Sequence, residues 1–404
     1  MALKQWLPLI GITIGVFIFN MSEFMPIGLL TDIASDFGIS EATAGLIIST
    51  YAWTVAILSL PIMLLLKKME YRRMLLMCVA MFAGFQFLSG ISGSYWMLVV
   101  SRLGVAVSHS IFWSIASPLA VRVVAPQYQK LAISTIAAGT SIAMIIGLPL
   151  GRIIGLSLGW RMSFIAIAII AVLALALLVT VFPRLENPGT FTVKRLPELF
   201  RNKVLLGIYI LVAMYVTGYY TGYSYIEPFL GQVSGMSDDM ITVVLTIFGL
   251  AGIGGSILFT RIYDRTRYRF IMTAIGGAAM CLLLLRASAG SVILVIVVCA
   301  LWGMFATSFN VAFQNEALKA SPSDATAIAM SLFSGIFNVG IASGSMIGGL
   351  VTDTASVDCI GYVGGAFILA SLVFTGLYLI HRMRDNDLER RVTDLSPRRC
   401  LRYD

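Results

Sequence analysis

Glu23 is the only ionisable side chain in an apolar stretch that runs from Trp6 to Leu30. A carboxylate at the centre of a membrane-spanning helix costs about 2.5–3.5 kcal/mol on insertion scales, so such a group usually has a function. Arg102 and His109 lie in another apolar stretch, seven residues apart and therefore nearly on one helix face. An acid, a base and an imidazole that titrates near neutrality can bind and release a proton. These three side chains are the candidate proton-coupling residues.

The predicted depths of these groups in a membrane agree. At 1.5 Å per residue, Glu23 lies roughly 12 Å and Arg102 roughly 10 Å from the same end of their helices. His109 reaches the middle of the membrane, close to the depth of Asn20. Two interpretations stay open for the charges, a proton site or a static ion pair between Glu23 and Arg102. His109 can equally be an interhelical hydrogen-bonding group.

A second set of polar side chains suits an uncharged, hydroxylated solute. Phenols and amides hydrogen-bond hydroxyl groups, and aromatic faces pack against the C–H faces of a sugar. MYVTGYYTGYSYIEPF (214–229) places tyrosines on successive helical turns, although such a stripe can also serve helix packing or an interfacial belt. The candidate substrate-binding residues are Asn20, Tyr51, Trp113, Tyr219, Tyr220, Tyr223, Asn310, Gln314 and Asn338.

The composition is that of an integral membrane protein. Of 404 residues, 58% are hydrophobic and 12% charged, against about 45–50% apolar and 25% charged in soluble domains. The five cysteines have no CxxC spacing, so neither a disulfide framework nor a metal site is predicted. P-loop and HExxH motifs are absent and no extramembrane segment is large enough for a catalytic site. We therefore expect neither an enzyme nor a cofactor.

Twelve apolar runs are long enough to cross a bilayer, since a spanning helix needs about 20 apolar residues. They lie near 8–31, 43–66, 74–91, 96–121, 131–154, 162–182, 204–229, 240–260, 270–288, 292–317, 326–350 and 360–381. The predicted fold class is an all-α membrane protein with twelve transmembrane helices. The polar segment 184–203 divides them into six and six. This predicts an N-terminal bundle over 1–183, a cytoplasmic linker over 184–203, a C-terminal bundle over 204–382 and a cytoplasmic tail over 383–404.

Lys and Arg concentrate in the connections after the even-numbered runs and in the tail, which predicts that both termini are cytoplasmic. The same rule explains the net charge of +8 without nucleic acid. The two halves also repeat. FGIS (37–40) aligns with SGMS (234–237) at an offset of 197, and KKMEYRR (67–73) aligns with YDRTRYR (263–269) at an offset of 196. Two pseudo-symmetric six-helix bundles with a site between them are typical of transporters.

Two motifs make the chain similar to the major facilitator superfamily, in its drug:proton antiporter branch. YDRTRYR (263–269) resembles the family's G-x-x-x-D-R-x-G-R-R loop, and GTSIAMIIGLPLGRIIG (139–155) resembles the antiporter signature G-x₇-G-x-P-x-G. The first-half copy of the loop has Lys68 in place of the family's Asp, and Arg102 takes the position of the family's fourth-helix arginine. The resemblance implies the major facilitator fold. These motifs imply five gating residues, Asp264, Arg265, Gly147, Pro149 and Gly151. Glu227, near the end of the seventh run, is a sixth candidate gating residue.

Four further segments, SRLGVAVSHSIFWSIA, GLPLGR with GWRMSF, YSYIEPF and LFSGIFNVGIASG, resemble the sugar efflux transporter B group over nearly all of 5–382. The resemblance implies a multi-pass protein of the bacterial inner membrane, a monomer, that exports sugars or similar solutes by alternating access in exchange for protons. Two alternatives stay open. One is a multidrug or nucleoside:proton antiporter, and the other is a transporter-like membrane sensor whose tail binds a partner.

Overall fold

The computed structural model describes residues 3–66, 68–186, 196–322 and 326–386. Within these ranges the regular structure is helical throughout and contains no strand. Ten helices there are long and apolar enough to cross a membrane, and Ile145–Leu158 is a shorter apolar helix. These findings confirm the prediction of an all-α membrane protein. Most of the predicted linker and tail, 187–195 and 387–404, lies outside the described residues.

The helices follow one another with short connections. α1 turns through a 3₁₀ segment (Met25–Leu29) directly into α2, so the two helices form one crossing. The helices are α1 (Leu3–Phe24), α2 (Leu30–Phe37), α3 (Glu41–Leu66), α4 (Tyr71–Gly90), α5 (Tyr95–Arg122), α6 (Gln129–Leu158), α7 (Trp160–Val181), α8 (Leu196–Arg201), α9 (Lys203–Tyr223), α10 (Ile226–Pro228), α11 (Asp238–Ser288), α12 (Val292–Ala320), α13 (Thr326–Thr354) and α14 (Ile360–Phe374).

The 51-residue α11 contains two crossings. A straight helix of this length would measure about 76 Å, more than twice the roughly 30 Å of a bilayer core. Thr266 interrupts the helix with φ −131° and ψ 28°. The rings of Phe259 and Phe270 are 6.0 Å apart, whereas eleven residues of straight helix would separate them by about 16 Å. The chain therefore turns back at Thr266. With α6 also counted, the helices are consistent with the twelve predicted crossings.

The helices pack as two groups. In the first half of the chain α1 packs on α6 and α7, and α4 packs on α5 and α7; in the second half α9 packs on α13 and α14, and α11 packs on α12. Two helix pairs, α3 with α13 and α6 with α11, join the halves. Alternating crossings bring Leu3 and Asn386 to the same side of the protein, here the termini face. The opposite side, which carries the connections at Phe37–Glu41 and Thr354–Ile360, is the far face.

Candidate functional site

A chain of three buried side chains links three helices of the N-terminal half. Tyr51 on α3 shares a hydrogen bond of 2.7 Å between its hydroxyl and Nδ1 of His109 on α5. The other imidazole nitrogen, Nε2, lies 3.9 Å from Oε2 of Glu23 on α1. Within the described ranges no group donates a hydrogen bond to the Glu23 carboxylate, whose side chain is 10% exposed. The carboxylate is therefore free of competing donors on the side that faces His109.

Arg102 does not form the ion pair with Glu23 that the sequence suggested. Its guanidinium donates to the hydroxyl and to the carbonyl oxygen of Ser22, both at 2.9 Å. The reason is local: Pro26 has no N–H, so the carbonyl four residues earlier in α1 lacks its helical donor. Arg102 supplies that donor, and its guanidinium also lies over the Tyr51 ring, 4.6 Å from the centroid. It thus holds the broken end of α1 beside Glu23.

A cavity of about 260 Å³ lies beside the Tyr51–His109–Glu23 side chains. Residues of the C-terminal half form most of its lining. No charged side chain lines it among the described residues. Phe24, which directly follows Glu23 in the sequence, and Ile145 contribute from the first half. The polar groups that line it are Tyr215, Tyr219, Tyr220, Tyr223, Ser256, Thr307 and Asn310.

The cavity contains unused hydrogen-bonding capacity. The hydroxyl of Tyr215 is buried and has no hydrogen-bond partner among the residues that the structure describes. The rings around it are rigidly stacked, with Tyr215 3.4 Å from Phe309 and Tyr219 5.1 Å from Tyr223 between centroids. A buried polar group without a partner costs about 1–3 kcal/mol. A ligand that donates or accepts a hydrogen bond here would recover that free energy.

The other predicted substrate-binding residues lie in different surroundings. Asn310 lines the cavity and accepts a hydrogen bond of 2.6 Å from Gln314, which is itself exposed. Asn20 and Asn338 donate hydrogen bonds to carbonyls of their own helices, and the side-chain oxygen of Asn338 is buried without a partner in the described part of the chain. Trp113 packs beside His109 with 6.0 Å between ring centroids. Of the predicted substrate-binding residues, Tyr219, Tyr220, Tyr223 and Asn310 line the cavity, whereas the fourth predicted tyrosine, Tyr51, bonds His109.

A buried arginine joins the two halves at the far face. Arg152 on α6 donates to Asp238 at 2.6 Å and to the Gly28 carbonyl at 2.5 Å, and its Nη1 lies 3.2 Å from Oε1 of Glu227. The other oxygen of Glu227 accepts hydrogen bonds from the backbone and hydroxyl of Thr31. Sequence reasoning selected Glu227 and missed Arg152. The sequence did contain a clue to Arg152. It lies near the end of the apolar run 131–154, on the predicted non-cytoplasmic side, where Lys and Arg are scarce.

The predicted gating pair at the termini face is not engaged. Asp264 and Arg265 are exposed and form no ion pair within the described chain. The neighbouring Arg267 instead binds Glu316 on α12 through Nε at 2.7 Å, and Tyr263 donates to the same carboxylate. Glu316 is 1% exposed and was missed because the sequence places it at a run end among other polar residues.

The glycine signature on α6 serves close packing. A Cβ at Gly147 would lie 3.2 Å from the Cα of Met21, so α6 crosses α1 there at backbone contact. Gly151 similarly faces Met25, and Pro149 lies between the two glycines inside α6. Small residues at a helix crossing allow this approach. The crossing positions Arg152, one residue further on, against the end of α1.

The architecture and the central cavity define a multi-pass membrane transporter built from two groups of helices. The sequence profile of the Major Facilitator Superfamily matches residues 12–333, and the chain belongs to that superfamily. This result confirms the family expected from the loop and glycine motifs.

Solved transporter structures share the fold. A bacterial homologue of the human lysosomal transporter Spinster, in an inward-facing and unoccupied conformation, matches with a TM-score of 0.68 and 15% identity over 95% of this chain and 96% of that one. The peptide transporter POT in complex with sulfate matches with a TM-score of 0.73 and 13% identity over 91% and 94%. The human organic anion transporter MFSD10 matches with a TM-score of 0.66 and 13% identity over 93% and 100%.

Proposed function

We propose that the protein is a proton-coupled secondary transporter that exports a sugar or a similar small hydroxylated solute by alternating access. The observation that carries the proposal is an uncharged, phenol-lined cavity directly beside the Tyr51–His109–Glu23 chain. The proposed setting is the bacterial inner membrane, with a monomer whose termini face the cytoplasm. Proton and substrate then bind at neighbouring positions on opposite sides of the interface between the halves.

The size and chemistry of the cavity favour a small neutral cargo. Drug-sized ligands occupy pockets of about 300–1,000 Å³, and this cavity measures about 260 Å³. The free hydroxyl of Tyr215 needs a partner that a hydroxylated solute carries. Stacked aromatic rings offer flat surfaces for the C–H face of a sugar ring. The absence of charge among the lining residues disfavours an ionic solute.

The proton step needs only a small movement. If the Tyr51 hydroxyl donates to Nδ1 of His109, the neutral imidazole carries its proton on Nε2, directed at Glu23. The 3.9 Å gap closes to a hydrogen bond when the carboxylate is ionised and opens when Glu23 takes up a proton. Because Glu23 is adjacent to Phe24 at the cavity wall, its charge state changes the electrostatic potential in the cavity. Coupling requires that proton and substrate prefer different states of the transporter.

The ion pairs that close the far face supply the alternation. Arg152, Glu227, Asp238 and Thr31 hold the halves together there, and that face is the outer one in the proposed orientation. Opening outward requires these bonds to break, after which the solute leaves and a proton enters. The proposed gating residues Gly147, Pro149 and Gly151 set the crossing about which α6 moves relative to α1.

A multidrug or nucleoside:proton antiporter is the second candidate. Phe24, Phe248, Phe309 and Phe337 line the same cavity and offer stacking surfaces to a planar aromatic compound. Uptake into proteoliposomes of labelled sugars, nucleosides and aromatic drugs, each measured with and without a pH gradient, separates the two candidates. Gradient-driven movement of a sugar and none of an aromatic drug supports our proposal. The reverse result establishes the second candidate, and gradient-independent movement of every solute contradicts proton coupling.

A further inference from the structure

A groove between α3 and α13 opens sideways where the two halves of the chain meet. It has a volume of about 410 Å³ and is separate from the central cavity, with no residue in common. Its walls carry large apolar side chains that are exposed at the protein surface, Leu46 at 40%, Met346 at 58% and Leu350 at 63%. In a membrane these side chains face the hydrocarbon of the lipid.

Tyr225 forms part of the groove wall. It follows α9, is 1% exposed, and directs its hydroxyl between the two helices at Gly45 and Gly349. A Cβ at Gly349 would lie 2.5 Å from that hydroxyl, so a glycine is required there for the phenol to fit. The glycines make room for the phenol of Tyr225 between α3 and α13, and this phenol lines the groove.

The groove has the depth of one membrane leaflet. It begins at Thr43 and Asp353 near the far face and reaches Trp53 and Ser343 inside the membrane. Ten residues of α13 separate Asp353 from Ser343, which corresponds to about 15 Å. Half of a bilayer core is also roughly 15 Å thick. An acyl chain of the far leaflet would run the length of the groove.

The charge at the groove mouth selects among headgroups. Asp353 is exposed and has no partner within the described chain. Nearby Glu41 accepts a hydrogen bond of 2.7 Å from Gln232 and adds a second negative charge. No Lys or Arg lines the groove among the described residues. An anionic headgroup would be repelled here, whereas an ammonium group would be attracted.

We propose that the groove binds one far-leaflet phospholipid with a primary-amine headgroup, whose acyl chain lies along Leu46, Met346 and Leu350 and whose ammonium pairs with Asp353. A primary ammonium donates hydrogen bonds to a carboxylate, and a trimethylated one cannot. The lipid contacts both halves of the transporter where they meet. The proposal does not depend on the identity of the cargo.

Native mass spectrometry of the delipidated full-length protein tests this assignment. The probes are phosphatidylethanolamine, its mono-, di- and trimethylated forms, and phosphatidylglycerol, all with identical acyl chains. We expect phosphatidylethanolamine to be retained about two- to fivefold more than the trimethylated form, the range of an exposed ion pair. Retention should fall stepwise with methylation, and phosphatidylglycerol should bind least. Equal retention across the methylation series overturns the headgroup assignment without the use of any variant.

Two variants locate the lipid. Asp353→Asn should abolish the preference for the primary amine, whereas Asp239→Asn, an exposed far-face carboxylate outside the groove, should keep it. Met346→Trp, which fills the groove, should lower retention of every phospholipid. Equal lipid preference in Asp353→Asn and the unaltered protein places the headgroup elsewhere and overturns the proposal. Unchanged retention in Met346→Trp likewise excludes the groove as the acyl-chain site.

Discussion

Arg152 on α6 and Glu227 on α10 face each other across the two halves of the chain, with 3.2 Å between Nη1 and Oε1. Both side chains are buried, at 0% and 5% exposure, and Arg152 also holds Asp238 of the second half. A buried charge whose partner is removed destabilises its surroundings by about 3–5 kcal/mol. Loss of either partner should therefore weaken the contact between the halves at the far face.

Arg152→Ala should open the far face. The substitution removes the first-half cation that attracts Glu227 and Asp238, both of the second half, so the attraction between the two halves at this face is lost. Hydrogen-exchange mass spectrometry should show faster exchange in peptides that cover 28–38 and 226–238. Arg161→Ala is the matched control, because Arg161 pairs at 2.8 Å with Asp36 of the same half. Because Asp36 itself lies in the first peptide, the two variants are compared at 226–238, and equal exchange there would contradict the closing role of Arg152.

Glu23→Gln should uncouple transport from protons. Glutamine keeps the shape and hydrogen-bonding capacity of the side chain but fixes the neutral form. Accumulation driven by a pH gradient should be lost in proteoliposomes, while exchange between equal substrate pools persists, because exchange moves no net proton. Asp239→Asn, an exposed carboxylate on the far face, should retain both activities. Gradient-driven accumulation by Glu23→Gln would transfer the coupling role to His109.

Tyr51→Phe should disturb the orientation of His109. The substitution deletes the 2.7 Å hydrogen bond to Nδ1, worth about 1 kcal/mol, and leaves the edge-to-face contact between the two rings in place. We expect the pH profile of coupled transport to shift, with pool-to-pool exchange little changed. Tyr95→Phe, which loses a hydrogen bond to the Thr43 carbonyl within the same half, is the control and should leave the profile unchanged. Identical pH profiles in both variants would remove Tyr51 from the proton path.

Tyr215→Phe should separate stability from binding. Its hydroxyl is buried without a partner within the described ranges, so removal should leave the free energy of unfolding unchanged or raise it by about 1–3 kcal/mol. Substrate affinity should fall by a similar amount, because the solute loses its hydrogen bond. Tyr209→Phe, which breaks a 2.8 Å hydrogen bond to the Ala329 carbonyl, should lower stability and spare affinity. Thermal unfolding and a binding titration measure both quantities, and unchanged affinity in Tyr215→Phe would exclude this hydroxyl from the substrate site.

The sequence by itself determined the spans and the family. A run of about 20 apolar residues has one stable arrangement in a bilayer, a helix across it, so composition alone predicts the crossings. The sequence also predicts the two crossings of α11, because YDRTRYR (263–269) interrupts the apolar pattern where the chain turns at Thr266. Depth along a helix follows from a constant rise per residue. The rise per residue therefore predicts, without any tertiary information, that Glu23 and Arg102 lie at similar depths and that His109 lies close to the depth of Asn20.

Only the tertiary structure decided which groups meet, because contact depends on how each helix is rotated and on which backbone groups its neighbours leave unpaired. Arg102 turns to Ser22 rather than to Glu23 because Pro26 deprives that carbonyl of its donor. Arg152 finds Glu227 because two distant segments converge at the far face, 75 residues apart in sequence. Such pairings involve several helices at once. The residue pattern of a single helix does not specify which side chains of other helices it will contact.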